Sequence, residues 1–173
     1  KSVCFDTETT SLDSLNAKLV GIAFSYKQGE AFYVSIPQEE KEAQEIADEF
    51  KAFFENENIE KIAHNIKYDL AVIKNYGIEV KGNLFDTMIA HYLIQPDMRH
   101  NMDLLAETYL GYKPVSIETL IGKKGKNQKN MADLEPAEVS DYACEDADIT
   151  FQLKQLFEPK LSETETEKLY KEI

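Results

Sequence analysis

Apolar residues in the first third of the chain recur with the short period of strands, and beyond it mostly with the three-to-four spacing of helices. Val3-Cys4-Phe5 is a short apolar run that ends abruptly in Asp6-Thr7-Glu8-Thr9-Thr10-Ser11-Leu12. Leu19 to Tyr26 and Ala31 to Ile36 are β-rich, and Lys27-Gln28-Gly29-Glu30 between them predicts a hairpin. Pro37 ends the third strand. Glu39 to Phe54 then predicts one amphipathic helix with Ala43, Ile46, Ala47, Phe50 and Phe53 on its apolar face. Ile59 to Ala63 reads as a further short strand. A helix follows from His64-Asn65 through Tyr76, closed by Gly77. Asp86 is placed to cap a helix running to about Ile94, with Pro96 as its breaker. Asn101 to Tyr109 predicts another, ending at Gly111. Residues 112–135 are polar and rich in Gly, Lys and Asn, a long connection of the kind that carries function or moves. The last long helix is expected from Pro136 to about Leu156, and residues 162–173 read as the start of a helix whose partner lies beyond the end. Strands first, then helices alternating with short strands, imply an α/β fold with a mixed sheet flanked by helices.

At 173 residues and 43% hydrophobic, with no low-complexity tract, the chain predicts one folded domain. It starts at Lys1 rather than Met, which reads as a piece of something longer. No run approaches a membrane span and no secretory signal is visible, so no membrane partner is expected. Cys4 and Cys144 are isolated from each other, and a reducing cytoplasm fits them.

The net charge of −13 argues against broad, non-specific duplex binding. The acid is unevenly spread, however. Nine acidic residues between Glu39 and Glu60 face only Lys41 and Lys51, the pattern of a solvated helix face. Lys113, Lys123, Lys124, Lys126 and Lys129 cluster in one short region, which leaves room for a local grip on one strand.

On an extended strand Asp6 and Glu8 point to the same side, where they repel unless one is protonated or a cation lies between them. Taken alone, the pair fits equally a turn in which Asp6 caps and Thr9, Thr10 and Ser11 finish. Asp69 follows Asn65 by four, and Asp146 follows Tyr142 by four, so each pair is expected to share a helix face. Asp69 also reads as complementing a helix dipole, and the run Asp141 to Asp148 as an acidic surface stripe. Within that run Glu145 and Asp148 fall off the Tyr142–Asp146 face and read as plain surface charge. Ala143 and Ala147 would let the helix approach the sheet. Four oxygen-rich groups without a zinc-type Cys or His pattern suit hard cations, Mg²⁺ or Mn²⁺, and two such ions are the usual apparatus for displacement at a phosphate. A Walker-type loop is absent.

In order and spacing, these pieces closely resemble the tyrosine-bearing branch of the DEDD superfamily of 3′–5′ exonucleases. Asp6-Thr7-Glu8 matches its Asp-x-Glu motif, Asn65 to Asp69 its Asn-x-x-x-Asp motif, and Tyr142 to Asp146 its Tyr-x-x-x-Asp motif. FDTETTSLD, AHNIKYDL, NYGIEVKG, FDTM, RHNMDLLAE, GKNQ and YACEDADIT are similar to the proofreading domains of bacterial DNA polymerase I over nearly the whole chain. The lysine loop carries one residue more than that family's Gly-Lys-Gly-Lys-Asn-Gln spacing.

The resemblance implies an RNase H-like fold with a mixed five-stranded sheet, an exonuclease domain over residues 1–161, and in residues 162–173 the start of a linker or helix into a polymerase domain of the same bacterial parent. It implies two divalent ions, Mg²⁺ or Mn²⁺, held by Asp6, Glu8, Asp69 and Asp146, with Tyr142 orienting the attacking water. The substrate would be the 3′ end of single-stranded or frayed DNA, cut into 5′-mononucleotides. Thr7, Leu12, Asn65, Tyr68 and Arg99 would touch it, Leu12 as a wedge against the terminal base and Arg99 on phosphate. Against these stand plainer readings: Leu12 in the core, and Arg99 paired with Asp97 or Asp103. Two other functions compete, an RNA exonuclease of the ribonuclease D type and a catalytically silent strand-binding scaffold.

Overall fold

Residues 1–173 are all described by the computed structural model. Five strands, β1 (Ser2–Thr9), β2 (Leu19–Lys27), β3 (Glu30–Ser35), β4 (Glu60–Ala63) and β5 (Leu84–Asp86), form one mixed sheet of order β3-β2-β1-β4-β5. The two hairpin partners are antiparallel, whereas β4 and β5 run parallel to β1. The expected five-stranded α/β sheet is therefore present, with β1 at its centre.

Alternation along β1 feeds two cores. Cys4 packs with Ala23, Ile62, Ala143 and Ala147 on one face, and Phe5 with Leu19, Ile22, Phe54 and Val72 on the other. Helices α1 (Glu40–Glu49), α2 (Lys51–Phe54) and α3 (Ile66–Asn75) cover the Phe5 face. The opposite face is covered by α4 (Thr87–Ile94), by α5 (Met102–Leu105) with a π-turn over Ala106–Leu110, and by the long α7 (Pro136–Glu163), which lies across β1, β2 and β3. Ala143 and Ala147 are fully buried, so their small size does bring α7 onto the sheet. Short α6 (Ile117–Ile121) and α8 (Glu167–Glu172) complete the order. No helix is long and apolar enough to cross a membrane.

Several elements differ from the sequence reading. The helix expected over 39–54 breaks at Phe50, where that ring stacks on Phe24 at 5.2 Å and Phe54 turns inward onto Phe5 at 5.1 Å. Helix α7 continues past Leu156 through Pro159 to Glu163. An internal proline costs about 3 kcal/mol. Here Pro159 and Gln155, whose carbonyl it leaves unpaired, both face solvent, while Phe157 and Leu161 are buried. Burial of each such side chain contributes about 1.5–3 kcal/mol, enough to carry the helix on. The connection over 112–135 holds α6 and a 3₁₀ turn at Met131–Asp133. Residues 162–173 divide between the end of α7 and α8, and Tyr170 packs on Phe85 at 5.1 Å while its hydroxyl accepts from Asp86 N–H at 2.7 Å.

Candidate active site

Asp6 and Glu8 leave β1 on the α7 side, and Asp146 meets them from α7. One carboxylate oxygen from each lies within 4.8 Å of the other two. Glu8 and Asp146 are 6% and 7% exposed, and none of the chain's ion pairs involves any of the three. Glu8 Oε1 is buried without a hydrogen-bond partner. Such an oxygen is costly unless it is protonated or a cation reaches it. Three converging hard donors and an orphaned oxygen fit a divalent cation of the Mg²⁺ or Mn²⁺ kind.

The electrostatics agree. Burial pushes Asp6 up to about 6. Burial, and then the charge of Asp6, push Asp146 up to about 8. Glu8 rises well above the usual carboxylate range through burial and then the charges of Asp6, Asp146 and Asp69. Tyr142 is raised too, by burial and then by Asp146 and Glu8, so its hydroxyl keeps its proton at neutral pH. Its ring packs beside Val20, Met131 and Val139.

The fourth expected acid stands beside this trio rather than within it. Asp69, buried in the first turn of α3, accepts at Oδ1 from both the Thr7 hydroxyl (2.6 Å) and the Thr7 N–H (3.1 Å). Burial and then Asp6 raise its carboxyl, against the pull of the Thr7 bonds. Asn65 does not share a helix face with Asp69. It sits ahead of α3 in the left-handed region (φ 65°), exposed and making no side-chain cap bond. The first turn of α3 is held instead by Asp86, which accepts from Asn65 N–H (3.1 Å) and Ile66 N–H (2.9 Å) while capping α4 through Met88 and Ile89.

Of the remaining expected residues, Tyr68 and Leu12 lie beside the end of β1. Leu12 is 92% exposed, which rules out a core position. The Tyr68 hydroxyl bonds to the Ser11 carbonyl and to Thr9 Oγ1 (2.5 Å), fixing the turn that presents Leu12. Arg99 is exposed and pairs with neither Asp97 nor Asp103.

Sequence reasoning missed four contributors. Gly21 lies across from Glu8, and a Cβ there would meet the Tyr33 ring at 2.1–2.3 Å; the glycine makes room for an aromatic wall beside the acid. Asn130 Nδ2 donates to Thr10 O at 2.6 Å. Glu145 and Asp148, read as surface charge, are structural acceptors. Glu145 takes the Tyr112 hydroxyl and Val115 N–H (2.7 Å), and Asp148 takes Gly29 N–H (2.7 Å). Each joins segments distant in sequence, so no local pattern announces them.

A family model described as 3′-5′ exonuclease matches residues 1–162. DNA polymerase I of Borreliella burgdorferi is 40% identical over 100% of this chain and 19% of its own length. The chain thus spans about a fifth of that relative. Among solved structures, Brucella melitensis NrnC superposes with a TM-score of 0.76 at 26% identity, over 98% of this chain and 77% of that one. Escherichia coli RNase D, described as an exoribonuclease, has a TM-score of 0.69 at 18% identity over 94% of this chain and 40% of its own, a likeness of fold. The chain belongs to the 3′–5′ exonuclease family, as the exonuclease domain of the DNA polymerase I type.

Proposed function

We propose that this domain is a divalent-metal-dependent 3′–5′ exonuclease that removes 5′-mononucleotides from single-stranded or frayed DNA, and that it serves proofreading beside a polymerase domain of the same parent chain. The observation that carries the reading is the convergence of Asp6, Glu8 and Asp146 around an unpartnered Glu8 oxygen. Membership of the family, and a relative named DNA polymerase I, support DNA as the strand.

Asp6, Glu8 and Asp146, with Asp69 beside them, would hold the divalent cations. When bound, two such ions neutralise the phosphate and lower the pKa of an attacking water. The protein's part is position. Thr7 spends both its donors on Asp69 Oδ1, so its contribution to the substrate is indirect. Tyr142 keeps its proton and so orients the water through its hydroxyl rather than acting as a strong base. Leu12, nearly all exposed on a turn fixed by Tyr68, would wedge against the terminal base. The exposed side chains of Asn65 and Arg99 are free to take sugar or phosphate. A mismatched terminus unpairs more cheaply than a matched one and would reach this site more often.

The test is to compare DNA and RNA strands of one sequence and to identify the released product. Faster release of 5′-deoxynucleotides from the DNA strand is expected. A preference for RNA, or release from the 5′ end, would overturn the reading.

A further inference from the structure

We propose that Lys123, Lys124, Lys126 and Lys129 form a second nucleic-acid site, a phosphate-holding loop for the strand upstream of the terminal nucleotide. This rests on the exonuclease reading above and extends it to nucleotides that the carboxylates do not touch.

In a chain of net charge −13, residues 121–130 hold these four lysines and no acid. All four are exposed, and none takes part in an ion pair, although acidic side chains are plentiful elsewhere. The loop is closed on itself: Lys129 N–H donates to Ile121 O (2.9 Å), Gln128 N–H to Gly125 O (3.1 Å) and Gln128 Nε2 to Gly122 O (3.2 Å). A loop already folded back holds its charges together with less backbone to order on binding.

Its placement gives the charges a use. Leu120 and Ile121 before the loop, and Met131, Ala132 and Leu134 after it, pack in the one small cluster that also holds Tyr142. Asn130, at the loop's end, is tied to Thr10 O, two residues before Leu12. Both ends of the basic loop are thus seated on the tyrosine and the turn that flank the carboxylates. A polyanion whose terminus enters that acidic centre needs a cationic hold nearby, since the acids themselves repel its phosphates.

The experiment uses the unsubstituted chain and a variant with all four lysines changed to Gln. Binding of a fluorescent single-stranded DNA of about 16 nucleotides, at the upper end of single-strand site sizes, is followed against salt in chelator. Each phosphate that a lysine no longer neutralises reduces the slope of log K against log salt by about 0.7. A slope lower by about 2 to 3 is expected, with the ratio of kcat/KM for the long strand over that for a trinucleotide falling at least tenfold. An unchanged slope and ratio, in a protein that still cleaves both substrates, would overturn the loop's role alone. A shift in solution mass without a change in slope would also overturn it, assigning the lysines to the acidic helix of a second copy. Failure of the unsubstituted chain to cleave either substrate would instead count against the exonuclease reading.

Discussion

Thr7 and Asp69, sixty-two residues apart in sequence, are joined twice: hydroxyl and backbone N–H of Thr7 both donate to Asp69 Oδ1, at 2.6 and 3.1 Å. The residue between the two strand carboxylates thereby fixes the acid delivered by α3. Groups that orient a metal-holding carboxylate usually contribute 10–100-fold, roughly, to activity or metal affinity. Thr7→Val should lower kcat about 10- to 100-fold with little change in KM, and Thr7→Ser should recover most of it. Equal losses in both variants would place the role of Thr7 in packing rather than in its hydroxyl.

The clustered acids predict an inverted pH dependence without metal. Asp6 and Asp146 ionise near 3.8 when unfolded but near 6 and 8 in the fold, so the folded state holds more protons across that window. Stability in chelator should therefore fall as pH rises from about 4 to about 8, at up to ~1.4 kcal/mol per pH unit for each group concerned. Saturating Mg²⁺ or Mn²⁺ should remove the fall and raise the melting temperature. Denaturant titrations at several pH values, with and without metal, check both signs.

How far the sequence foretold this varies by element for physical reasons. Strand β1 and the pairing of Asp6 with Glu8 were legible because alternation is a local property of extended backbone. Strand β5 was not, since three residues are too few to show a period and Asp86 already read as a helix cap. The break at Phe50 and the run of α7 through Pro159 depend on which rings and apolar side chains find tertiary partners. The link from Asn65 to Asp69 was drawn on helical spacing, and the left-handed backbone at Asn65 removes it. Thr7's attachment to Asp69 is a contact between distant segments, visible only once the chain is folded.

Asp86 offers a stability prediction of a different kind. Its Oδ1 accepts from Asn65, Met88 and Ile89, and its Oδ2 from Ile66, so one carboxylate caps two helices. Loss of a single cap costs about 0.5–2 kcal/mol. Asp86→Ala, which removes two caps, should cost about 1–4 kcal/mol in urea denaturation, with Asp86→Asn falling between it and the unsubstituted chain.

His91 gives the acid limb. His91, fully buried, shares a proton position with His100 (Nδ1 to Nδ1, 2.7 Å) and bonds through Nε2 to the Tyr109 hydroxyl (3.0 Å), against the Phe157 ring. Burial, then the neighbouring His100 and His64, lower it from 6.5 to about 4. The unfolded state binds the extra proton between those values, so stability should drop as pH falls through that window. With Mg²⁺ present to quiet the acids, this limb should flatten in His91→Leu relative to the unsubstituted chain.

The most direct test is digestion of a 5′-labelled single-stranded DNA with Mg²⁺ or Mn²⁺, comparing the unsubstituted chain with Asp6→Asn and Asp69→Ala. A ladder shortening from the 3′ end, lost in chelator and reduced by orders of magnitude in both variants, is the predicted result; Asp6→Asn, relieved of one crowded charge, should melt no lower than the parent in chelator. Shortening that survives chelation or either substitution, or no shortening by a folded protein with either metal, would contradict the assignment of these carboxylates to metal-dependent strand cleavage.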